Sequence, residues 1–125
     1  MKTKIIAVML ALSAPPLFAL PSSVEPKSPQ VTIKGEIIDV WCYLKSGLDG
    51  VEHRICAVDC AKAGNPIGLL TEKGDLYILM GDKDTDARRD EFIKKMADTV
   101  TVEGALFKKG GLQVIYVSAM TYPAP

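Results

Sequence analysis

The chain predicts a mainly β fold, a small five-stranded barrel carrying two short helices, and three observations predict it. Residues 31–37 alternate apolar and polar side chains, which is the period of a half-buried strand. Two further pairs of apolar runs are joined by the glycine turns Lys73-Gly74 and Lys108-Lys109-Gly110-Gly111, the punctuation of hairpins. The two stretches with helical spacing are short and lie between strands, so the sheet has to supply most of the core.

The first strand places Val31, Ile33, Gly35 and Ile37 on one face and Thr32, Lys34 and Glu36 on the other. At Ile37-Ile38 two apolar residues adjoin, and the apolar set then continues as Ile38, Val40, Cys42 and Leu44. The expected strand therefore runs to Leu44 and switches its inward parity beside a glycine. A bulge or sharp coil of that kind lets one strand serve both sides of a closed barrel. After a loop with Gly47 and Gly50, the spacing predicts a helix from His53 to Ala63, ended by Gly64 and Pro66. Ile67 to Glu72 and Asp75 to Met80 form the next hairpin, and Gly81 to Asp86 a polar loop. Ala87 to Ala97 carries Phe92, Ile93 and Met96 at helical spacing, with acidic residues ahead of it that suit a helix N-terminus. Thr99 to Phe107 and Leu112 to Tyr122 pair as the last hairpin. Five strands with a helix before the fourth match an OB-like barrel, and an open α+β sheet of the same elements is the alternative.

One core is the ceiling for 125 residues, part of which reads as a targeting segment. Lys2 and Lys4 give a positive start, Ile5 to Leu12 an apolar centre, and Ser13 to Ser23 small residues and prolines, so residues 1–19 are expected to be a signal peptide cut after Ala19. The apolar run falls short of the roughly 20 residues a membrane span needs. No cysteine precedes Cys42 to take a lipid, so no stable membrane anchor is expected and the product is periplasmic or secreted. Residues 20–30 read as a Pro/Ser-rich tether and residues 31–125 as a single barrel domain. With 15 basic and 15 acidic residues the net charge is zero, which offers no field to attract nucleic acid or anionic lipid.

Export matters because thiols outside the cytosol meet oxidants unless a metal or a disulfide occupies them. Three cysteines are an odd number, so any intramolecular bridge leaves one over. On a helix His53, Cys56 and Cys60 fall at about 0, 300 and 340 degrees, within one arc of roughly 60 degrees, and Cys42 arrives from the inward side of the first strand. Three thiolates and an imidazole suit Zn(II) as a Cys₃His tetrahedron, or Cu(I) through two or three thiolates. A disulfide drawn from Cys42, Cys56 and Cys60 is the rival, Cys42 bridging more readily than the helical pair because side chains four apart on a helix run parallel. Asp39 and Asp59 read first as solvated carboxylates and second as outer acceptors that would orient His53, and Trp41 reads first as an outward barrel residue or helix packing and second as a cap over Cu(I) through its π face. Met80, Met96 and Met120 read as core filler.

The run Gly35 to Leu44, with His53-Arg54-Ile55-Cys56-Ala57-Val58-Asp59-Cys60-Ala61 and Gly64-Asn65-Pro66, resembles a group of small exported bacterial proteins sharing the pattern D-x-x-C-Y, H-x-x-C-A-x-x-C, G-x-P. That resemblance covers about a third of the expected mature chain and implies that the four residues act as a unit. A looser, fold-level similarity is to the OB-fold copper chaperones of periplasmic copper and silver efflux systems. Their methionine, histidine and tryptophan site has no counterpart here, so no residue carries over. The expected function is a copper or zinc carrier or accessory without turnover, its partners the metal ion and another exported metalloprotein. A thiol-redox protein with one reactive cysteine is the enzymatic alternative. An OB-fold oligomer-binding module is the third reading, against which stand eight aromatic residues in all and a balanced charge.

Overall fold

In the computed structural model, which describes residues 28–81 and 86–123, the five strands close into a barrel. The expected signal peptide and the tether as far as residue 27 lie outside the described residues, as do residues 82–85 with Asp82 and Asp84. Strand β1 spans Gln30–Asp39, β2 Ile67–Leu70, β3 Leu76–Gly81, β4 Thr99–Lys109 and β5 Leu112–Thr121. They neighbour one another in the order β1-β2-β3-β5-β4, with β4 returning to β1. Every pairing is antiparallel except β3 with β5. This is the OB-like barrel the alternation predicts.

The first strand does serve both sides. Residues 30–36 pair with β4 and residues 36–39 with β2, so Glu36 faces Thr99 on one flank and Leu70 on the other. Gly35 permits the sharp coil, since a Cβ there would sit 2.6 Å from the Leu70 carbonyl oxygen. Inside, Ile37, Leu69, Val102, Ile115 and Val117 are fully buried. Helix α3, Asp86–Lys94, precedes β4 as expected, and Phe92 and, just beyond the helix, Met96 are buried in the core.

The sequence-based expectation fails at the end of β1. The strand stops at Asp39, and Val40–Ser46 forms a short helix, α1, so the described residues hold three short α-helices rather than two. Val40, Cys42 and Leu44 alternate as a strand would, but two local groups favour a helix. Asp39 takes the N-cap position, with its Oδ1 accepting from the Cys42 N–H at 2.7 Å. Gly47 closes the other end in the left-handed region at φ 64°, its N–H donating to the Tyr43 carbonyl at 2.8 Å. The expected helix from His53 also divides: Val51–His53 is a 3₁₀ turn, and helix α2 runs Arg54–Lys62. None of the described helices is long and apolar enough to cross a membrane.

Candidate metal centre

Helix α2 is laid on the barrel by its small residues. Ala57 and Ala61, four apart and both buried, form the contact stripe, and without long side chains they let the helix approach closely. Cys56 and Cys60 stand one position earlier in the same spacing, about 100 degrees around the helix, and so border that stripe rather than enter the core. Cys56 is exposed and Cys60 half-buried.

Helix α1 delivers the third thiol. The Val40 N–H donates to the Pro66 carbonyl at 3.0 Å, which ties the start of α1 to the chain leaving α2. Cys42, in the first turn, then comes to 3.8 Å, Sγ to Sγ, from Cys60. Cys42 therefore reaches the cluster from a helix, not from the strand end that the alternation suggested.

The four predicted ligands do not close into the single expected Cys₃His set: they divide between two groups that share Cys42, with Cys60 in a different group from His53 and Cys56. In one, Cys42, His53 and Cys56 each place a ligand atom within 4.8 Å of the other two. In the other, Asp39, Cys42 and Cys60 do the same. These thiol, imidazole and carboxylate groups can hold a metal ion. Two atoms of the set are buried with no hydrogen-bond partner among the described residues, His53 Nε2 and Asp39 Oδ2. An unsatisfied buried polar atom costs about 1–3 kcal/mol, more when charged, so both are places where a bound ligand would compensate.

Asp39 departs from its expected role. Rather than orienting His53 from outside, it is 1 % exposed, caps α1 with one oxygen and lies beside Cys42 and Cys60. Asp59 is exposed on α2 and is not among the residues brought together. Trp41 is 58 % exposed in the first turn of α1, one residue from Cys42.

The electrostatics favour the protonated thiol at Cys42 and at Cys60 in the metal-free site. Beside the Asp39 carboxylate, and with desolvation and the Cys60 neighbour acting in the same direction, the Cys42 thiol is pushed up to about 12. For Cys60 the hydrogen bond with Cys42 pulls downward, but desolvation and the adjacent Cys56 and Asp39 outweigh it, and its thiol is raised as well. A cation would reverse this balance, since metal binding requires thiolates and releases their protons.

Three polar side chains that hold the centre escaped the reading of the sequence. Arg89 of α3 donates to the Ala61 and Asn65 carbonyls at 2.5 and 2.7 Å, placing a cation at the C-terminal end of α2 where the helix dipole welcomes it. Arg54, at the other end of α2, pairs with Asp98 at 2.7 Å. Glu36 Oε1 accepts from the Gly50 N–H at 2.6 Å and fixes the loop that leads into the 3₁₀ turn. Their four partners lie 14 to 44 residues away in sequence, so no local spacing marks them.

A separate cleft of about 740 Å³ opens over β1, β2 and the β2–β3 turn. Lys34, Glu36, Glu72, Lys73 and Asp75 line it with charges of both signs, and no cysteine or histidine is among its walls. No known family model, curated protein or solved structure matches the chain.

Proposed function

We propose that the protein is an exported soft-metal-binding module, a carrier or accessory for Cu(I) or Zn(II) without turnover of its own. The observation that carries this reading is the convergence of Cys42, His53 and Cys56 within 4.8 Å, with a buried and unpartnered His53 Nε2. Two thiolates and an imidazole are a competent set for either ion, and Cys60 is 3.8 Å from the shared thiol. A carrier role draws support from the surroundings. Among the described residues, half of the exposed large apolar side chains, Trp41, Leu44, Leu48, Val51 and Ile55, fall in the stretch that brings in Cys42, His53 and Cys56. Exposed apolar side chains beside an exposed ligand such as Cys56 would suit docking against another exported metalloprotein.

Native mass spectrometry tests the proposal. The expected result is a bound ion that is lost when Cys56 and Cys60 are changed to Ser. The Cys42–Cys60 approach favours a second reading, a dithiol that closes to a disulfide on oxidation and leaves Cys56 free. A mass two hydrogens short with no metal would support that reading and exclude the first.

A further inference from the structure

We propose that Asp39, Cys42 and Cys60 form an inner Zn(II) position beside the outer one of Cys42, His53 and Cys56, so that the Cys42 thiolate bridges two ions. The inference rests on the soft-metal reading above and extends it to stoichiometry, to metal preference and to a carboxylate ligand.

Three observations carry it. The first is distance. Two thiolates on one tetrahedral zinc, each bonded at about 2.3 Å, stand about 3.8 Å apart, and Cys42 Sγ and Cys60 Sγ are 3.8 Å apart. The second is Asp39. One carboxylate oxygen is committed to the Cys42 N–H and the other is buried with no partner, and the Asp39 carboxylate belongs to the group that Cys42 and Cys60 complete. A buried carboxylate oxygen is tolerated when a cation or a proton meets it. The third is the grouping itself, since the two sets share Cys42 and no other residue.

Charge points the same way. One Zn(II) held by three thiolates and a neutral imidazole leaves a net charge of −1 next to the buried Asp39 carboxylate. Two Zn(II) ions against three thiolates and that carboxylate sum to zero, and a neutral cluster is what a partly buried site tolerates best. A sulfur atom has the lone pairs to bridge. The oxygen ligand also separates the positions by preference: Asp39 suits Zn(II) and disfavours Cu(I), whereas the outer pair of thiolates and imidazole accepts both.

The test is a Zn(II) titration of the reduced, metal-free protein against a chromophoric chelator, with bound ions counted by native mass spectrometry. Two ions per chain are expected for the wild type. Asp39→Asn, whose amide oxygen can still cap α1, and Cys60→Ser should each drop to one ion, and so should His53→Ala from the outer side. With Cu(I) as the probe, Asp39→Asn should bind as many ions as the wild type. Saturation of the wild type at one Zn(II), or two ions retained by both Asp39→Asn and Cys60→Ser, would overturn the inner position. A single ion lost on Cys56→Ser would leave the proposed function standing without the bridge, and no ion at all would remove both.

Discussion

The wall of the barrel and the helical corner at the end of its first strand are built on opposite terms. In the wall, Ile37, Leu69, Val102, Ile115 and Val117 are entirely buried, wholly apolar and set on strands paired along the barrel. A few residues away, the corner buries Asp39 and the Nε2 of His53 without full partners, gathers three thiols and exposes Trp41, Leu44, Val51 and Ile55. The wall therefore accounts for folding, while the corner keeps features that oppose it. Unsatisfied buried polar atoms and exposed large apolar side chains are tolerated where they serve binding.

Substitutions should separate the two regions. The largest effect is expected in the wall: Leu69→Ala should lower stability by about 2–5 kcal/mol in denaturant melts, the range for deleting a large buried aliphatic side chain. Next comes the link between the regions. Arg89→Ala removes two charge-assisted bonds to the end of α2, so it should cost about 1.5–3 kcal/mol and weaken Zn(II) binding although Arg89 is no ligand.

Alkaline pH should strain the corner through Cys42. Because the Cys42 thiol rises from 9.0 to about 12 on folding, its contribution to the metal-free fold is fully present below pH 9 and is lost as pH climbs toward 12. Unfolding midpoints followed from pH 8 upward should fall, and Cys42→Ser should flatten the fall; an equal slope in both proteins would contradict the assignment. Smallest is Asp39→Asn. It retains an oxygen to cap α1 and removes a buried charge with one unsatisfied atom, so metal-free stability should stay within about 1 kcal/mol of wild type, in contrast to its effect on zinc stoichiometry.

How much of this was legible in the sequence follows from the range of each interaction. The hairpins β2–β3 and β4–β5 announce themselves by alternation around glycine turns, and Phe92 and Met96 by helical spacing, because each signal is contained within about ten residues. The gathering of Cys42, His53 and Cys56 was also legible, since every cysteine and the only histidine lie between positions 42 and 60. The end of β1 was not. Val40, Cys42 and Leu44 satisfy a strand's period, and the decisive groups were the Asp39 carboxylate and Gly47, whose capping geometry is local but leaves periodicity untouched. Asp39 as a partner of Cys60, and Arg89 at the end of α2, depend on how separate elements meet in space, which no spacing rule encodes.

The claim that the thiol and imidazole cluster binds a soft metal meets its most direct test in X-ray absorption at the zinc edge of the Zn(II)-loaded protein. The account predicts a shell of sulfur at about 2.3 Å with nitrogen or oxygen at about 2.0–2.2 Å, and loss of the imidazole scattering in His53→Ala. A shell of oxygen and nitrogen alone, or a spectrum unchanged by both His53→Ala and Cys56→Ser, would contradict it.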